Sequence, residues 1–196
     1  MSAMARHDKD FRPDREDSGL WGQLYLTKKQ RLSAAKWLLY SLVVLALSVV
    51  QDVMLSSLDL RGATTDLVPC AILTVCILEG ADSGSLFSLL AATVYLFSGT
   101  APGVHVVVLL PLLGVIASVF RQNYLRKSFF TTVLCAGAMV LVYELTVFGV
   151  ALFVEQTYAA RVTVALITAG LSCLAIPLLY PILVSIGKIG GETWKE

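Results

Sequence analysis

Residues 129–153 read FFTTVLCAGAMVLVYELTVFGVALF, twenty-five positions with a single charge among them, Glu144. An α-helix rises about 1.5 Å per residue and a bilayer's hydrocarbon core is about 30 Å thick, so a run of this length and character crosses it once. Working outward, comparable apolar runs predict further spans near 104–120 before it and 162–186 after it, and near 37–55, 63–78 and 83–97 towards the N-terminus. The expectation is an all-α fold, a polytopic membrane bundle of about six transmembrane helices. The second and third runs are short and joined at Gly80 to Asp82, which leaves open two tilted crossings or a re-entrant hairpin shielded by the other helices.

Composition agrees. Of 196 residues, 57% are hydrophobic and only 15% charged, with a mean hydropathy of +0.77; soluble domains carry about 25% charged residues. That little charge cannot cover a water-facing surface. The apolar texture is uniform, which predicts one membrane unit over 33–187, a basic N-terminal arm over 1–32 and a short tail over 188–196. The first apolar run begins only at Trp37, too late for a cleavable secretory leader. Residues 1–19 are polar and expected to be disordered, and Leu20, Trp21, Leu24 and Tyr25 share a helical face suited to the headgroup layer; a plain linker reads nearly as well.

Basic residues set the expected orientation. With six spans, thirteen of the fifteen Lys and Arg, including the whole arm, Arg121, Arg126, Lys127, Lys188 and Lys195, fall on the side shared by both termini. Arg61 and Arg161 fall on the other. The excess of Lys and Arg belongs in the cytoplasm, so both termini are expected there. The net charge of +1 gives no reason to expect a nucleic acid; the surrounding partner is lipid.

Small residues recur every four positions at Gly84, Ser88 and Ala92, and again at Ala165, Ala169 and Cys173. Such ridges let helix backbones approach closely, which reads as packing rather than a dedicated dimer motif; a homo-oligomer stays open. Pro69, Pro111, Pro177 and Pro181 are expected to kink or end helices. The four cysteines lie inside apolar runs without metal or redox spacing, and read as small packing residues.

No catalytic constellation emerges. The spans hold too few polar residues for a nucleophile and base, and neither a phosphate-binding glycine loop nor a His/Glu metal pair is present, so no enzyme, cofactor or metal is expected. The candidate polar-contact residues are few. Glu144 lies deep in the fifth span, where an ionised side chain costs roughly 2.5 to 3.5 kcal/mol on insertion scales, so it must face protein. It makes either a polar contact to a partner or to a bound group, or an internal bond to a hydroxyl such as Tyr95, Thr131 or Ser172. Asp66 opens the second span, where the helix dipole favours a carboxylate; Glu79 closes it and reads as a solvated turn. His105 follows the Pro102-Gly103 turn and marks an interface or a partner contact.

Gln51, Asp66-Leu67-Val68, Glu79-Gly80, Ser98-Gly99, Pro102-Gly103-Val104-His105, Arg121 and Tyr143-Glu144-Leu145 together resemble the bacterial rod-shape-determining MreD family over roughly residues 37–186. Two departures stand out. Thr65 replaces the family's Pro before the Asp, and Ala91-Ala92-Thr93-Val94-Tyr95 replaces its Gly-Leu-x-x-Asp element, putting Tyr95 where that Asp would be. The resemblance implies a non-enzymatic component of the side-wall peptidoglycan machinery in the bacterial cytoplasmic membrane. Its implied partners are MreC, the MreB filament, and the RodA glycosyltransferase with its transpeptidase. MreD-like proteins also resemble the six-helix substrate-binding components of energy-coupling-factor vitamin transporters, the alternative reading. Those carry Ala-x-x-x-Ala on the first helix, a spacing that Ala34, Ala35 and Ala46 do not give.

Overall fold

A computed structural model describes residues 28–55, 65–124, 128–155 and 157–189. The expected tail over 1–19, most of the interfacial segment over 20–31, the first loop and the last seven residues lie outside them. Among the described residues the chain is all-helical, without strands. Helix α1 spans Lys28–Val50 and widens into a π-helical turn over Gln51–Leu55. It is followed by α2, Leu67–Glu79, and α3, Ala81–Phe97. Then come α4, Val106–Tyr124, α5, Phe129–Phe153, a 3-10 turn at Ala159–Arg161, and α6, Val162–Ile189. The six expected runs are therefore six helices, and α1 starts earlier than its apolar run, at residue 28 of the segment read as the arm.

Four of these are long and apolar enough to cross a membrane, over Gln30–Val53, Val106–Asn123, Phe129–Phe153 and Ala159–Gly187. The other two are apolar but shorter. Helix α2, with 13 residues, is only about 20 Å long. Its environment explains how so short a helix is tolerated. Every residue from Val68 to Leu78 is buried, and α2 packs against each of the other five helices. Its backbone ends meet protein, which is the condition for interrupting a helix at membrane depth.

The outside of the bundle is apolar. Leu38, Leu42 and Leu45 of α1, Leu86 and Leu90 of α3, Val108 and Leu112 of α4, Leu134 of α5, and Leu174 and Leu178 of α6 are all exposed. A soluble monomer rarely exposes so large a continuous apolar surface; hydrocarbon solvates it without penalty.

Close packing around α2 depends on absent side chains. A Cβ on Gly84 would stand 2.8 Å from the Cys76 Cα, and one on Gly114 2.8 Å from the Cys76 Sγ. Gly84, Ser88 and Ala92 are all buried, so the first small-residue ridge is indeed a packing face. Cys70, Cys76 and Cys135 are buried and Cys173 is half-buried, all four as free thiols. Of the two roles expected of the prolines, Pro111, Pro177 and Pro181 do not end their helices: α4 runs on through the first and α6 through the other two. Gly80, at φ +96°, supplies the left-handed conformation that turns α2 into α3 without strain.

Side-chain contacts fix which helix ends lie together. Lys36 Nζ meets Glu79 Oε2 at 2.6 Å, and the Tyr40 hydroxyl donates to Glu79 Oε1 at 2.9 Å and to the Leu183 carbonyl at 3.2 Å. Arg121 Nη1 donates to the Ile77 carbonyl. The start of α1, the ends of α2 and α4, and the last turns of α6 therefore share one layer. Glu79 is no solvated turn; its side chain is 3% exposed. It is held by a cation and a hydroxyl from α1, 43 and 39 positions away. Arg121, expected as a polar-contact residue, is buried in this layer and satisfies a carbonyl at the end of α2, where a cation is also favoured by the helix dipole.

A buried carboxyl pair as candidate functional site

The second polar layer lies at the opposite ends of α1, α2 and α3, and two carboxyl groups sit at its centre. Gln51, at the start of the π-helical turn, reaches across to α2. Its Oε1 accepts from the Val68 N–H at 3.2 Å and its Nε2 donates to Asp66 Oδ1 at 3.2 Å. The same nitrogen approaches the Tyr95 hydroxyl at 3.4 Å. The Asp66 N–H donates to Ser172 Oγ of α6 at 3.0 Å, and the Cys70 thiol bridges the Asp66 and Ser172 carbonyls.

Asp66 thus occupies the position before α2, but its carboxylate caps nothing. Gln51 Oε1 instead takes an otherwise orphaned N–H of the first turn, that of Val68. Released from capping, the Asp66 carboxyl faces that of Glu144 on α5, near enough for a hydrogen bond when a proton lies between them.

Glu144 lies nine residues before the end of α5, about 14 Å along the helix. It is 6% exposed and faces the bundle, as its depth requires. Its neighbour is not one of the expected hydroxyls. Ser172 Oγ is engaged by the Asp66 N–H, the Tyr95 hydroxyl faces Gln51 and the Thr100 carbonyl, and Thr131 lies two positions into α5, at its far end. Glu144 Oε1 has no hydrogen-bond partner among the described residues. Neither has the hydroxyl of Tyr143, a wholly buried residue whose electrostatic neighbours are Tyr95, Asp66, Glu144 and Cys70.

Of the six residues singled out in the sequence, four converge here: Asp66, Tyr95, Tyr143 and Glu144. Arg121 is at the other layer. His105 precedes α4, where its carbonyl accepts from the Val108 and Leu109 N–H groups, and its buried Nε2 is unpartnered among the described residues. Two members of the cluster escaped the site prediction. Gln51 was noticed only as part of the family resemblance and Ser172 only as one candidate hydroxyl for Glu144; neither bond to Asp66 has a local signature.

A recess leads to Glu144 from the 155–161 turn. It lies between α5 and α6, encloses about 240 Å³, and runs from Glu144 past Val147, Phe148, Ala165 and Thr168 to Arg161. Chemically the site offers two acids, the hydroxyls of Tyr95, Tyr143 and Ser172, the Gln51 amide and the Cys70 thiol. No cluster of three or more His, Cys, Asp or Glu suited to a metal is found among the described residues. Compared with known proteins, the chain matches no family model, no curated protein and no solved structure.

Proposed function

We propose that this chain is a non-enzymatic, MreD-like scaffold of the bacterial side-wall synthesis machinery. It would cross the cytoplasmic membrane six times with both termini in the cytoplasm, and work with MreC, the MreB filament, and RodA with its transpeptidase. One observation carries the reading. Gln51, Asp66 and Tyr143-Glu144, three separate pieces of the MreD resemblance, come from α1, α2 and α5 and meet in one buried cluster. Residues that share a motif because of packing would be expected to meet in this way. Tyr95, standing where the family's Asp would be, joins the same cluster through Gln51; a hydroxyl there spares the bundle a third buried acid.

Topology supports the membrane part of the proposal. The start of α1, the end of α4 and the last turns of α6 share a layer, and the excess of Lys and Arg would put that layer on the cytoplasmic side. The apolar exterior and small extramembrane mass leave helix faces as the surface for partner contact.

Depletion in a rod-shaped host is the test. Cells should widen or round, and crosslinking through a tag on this chain should recover wall-synthesis proteins. Normal shape, combined with lost vitamin uptake and recovery of an ATPase, would refute the proposal in favour of the transport reading.

A further inference from the structure

The carboxyl pair is incompletely satisfied by the protein itself. Asp66 is held by Gln51 and Ser172, but Glu144 Oε1 and the Tyr143 hydroxyl, both on α5 and both more than nine-tenths buried, have no partner among the described residues. Nor does any described cation form an ion pair with Asp66 or Glu144. Buried polar atoms are nearly always hydrogen-bonded, and an unmet acid at membrane depth is especially unfavourable. The missing component is a donor, and two facing acids favour a positively charged one with several N–H groups.

The recess specifies the rest of the ligand. Its volume of about 240 Å³ far exceeds the room needed by one water or one ion. Its walls between the ends are largely apolar, with Val147, Phe148 and Ala165, and Thr168 adds a hydroxyl. Arg161 lines the end towards the turn; it is exposed and in no ion pair among the described residues. A negative charge opposite it would be bound without desolvating the deeper acids. Polarity therefore reverses along the recess, from acid at the bottom to guanidinium at the mouth.

We propose that the recess between α5 and α6 binds a small zwitterion, its primary ammonium on Glu144 beside Asp66 and Tyr143, and its anionic group on Arg161. An aminophospholipid headgroup entering from the membrane and a free ammonium-phosphate or amino-acid-like solute share this chemistry. A quaternary ammonium has no N–H to give and is excluded.

The proposal stands apart from the wall-synthesis reading, and its test is a binding measurement on the purified full chain. Thermal unfolding is followed in a neutral detergent with added phosphoethanolamine or phosphocholine, and in nanodiscs of phosphatidylethanolamine or phosphatidylcholine, each with the same fraction of phosphatidylglycerol. A saturable rise of a few degrees with phosphoethanolamine over phosphocholine identifies a free solute. A rise confined to the phosphatidylethanolamine discs identifies the lipid headgroup. Glu144→Gln should weaken the apparent affinity at least tenfold, and Arg161→Gln, at an exposed position that cannot compromise folding, should weaken it several-fold. Equal response to primary and quaternary amines, no response to either primary-amine probe, or an effect undiminished in Arg161→Gln would overturn the proposal, whether or not Glu144→Gln can be purified.

Discussion

Replacing Lys36 by Met would remove the cation from a pair that the bundle has nearly dried out. The side chains of Lys36 and Glu79 are 10% and 3% exposed and their charged atoms are 2.6 Å apart. Deleting one partner of such a pair costs about 3–5 kcal/mol, mostly because the other charge stays buried and uncompensated. Glu79 would keep the Tyr40 hydroxyl on Oε1, which argues for the lower end, about 3 kcal/mol. For a chain of this size each kcal/mol lowers the unfolding midpoint by about 2–4 °C, so the expected fall is about 6–12 °C. The double variant Lys36→Met/Glu79→Met removes both charges, and the Tyr40 hydroxyl still has the Leu183 carbonyl at 3.2 Å. It should return to within about 1 kcal/mol of the parent, recovering about 2 kcal/mol of the single variant's loss. The buried thiols of Cys70, Cys76 and Cys135 make a thiol-reactive fluorophore a direct assay of unfolding in detergent. A fall under about 2 °C for Lys36→Met would mean that water reaches the pair. A double variant as weak as the single one would mean that the ammonium's place over the Trp37 ring, 5.1 Å from its centroid, and not its pairing with Glu79, holds α1 in place.

At Gly84, a valine would put Cβ within 2.8 Å of backbone on α2, so folded yield should collapse, whereas Gly149→Ala, with nothing within 4 Å, should purify normally; equal yields would refute the close α2–α3 approach. Glu144→Leu removes an unpartnered buried oxygen, and in ligand-free detergent should leave the unfolding midpoint unchanged or higher; a drop of more than roughly 5 °C would show that the acid is satisfied after all. In a background with the native cysteines replaced, Ser57→Cys should react with an impermeant thiol reagent from outside the cell and Tyr124→Cys should not. The reverse pattern would invert the membrane orientation.

The helices were legible because each is an apolar run bounded by charge or by Gly and Pro, and those boundaries fell within a few residues of the observed ends except at α1, which begins at Lys28 rather than near 37. The lateral arrangement was not. Lys36 reads as the last residue of a basic arm and Glu79 as part of a polar turn; only the packing of α1 against α2 makes them a pair. Asp66 was recognisable as a carboxylate at a helix start, the place it holds, but nothing local shows that Gln51, fifteen positions earlier, is bonded to it. Glu144 announced that it must face protein, yet its partner depended on how far α2 begins below the end of α5, which is a matter of relative height and has no sequence period.

The enclosure of α2 also constrains how the molecule is made. A helix of 13 residues that touches all five others has no stable berth in lipid by itself, and two of its neighbours are the last to be synthesised. During translation, the α2–α3 hairpin must wait in a provisional position, beside the translocation machinery or under the headgroups, until α5 and α6 arrive. The Tyr40 contact with Leu183 joins the first helix to the last across 143 positions and closes the ring around the hairpin. Burial of α2 is therefore complete only once α6 is in place. A chain stopped before α6 would present its central helix to quality-control proteases, even with every earlier segment correctly threaded.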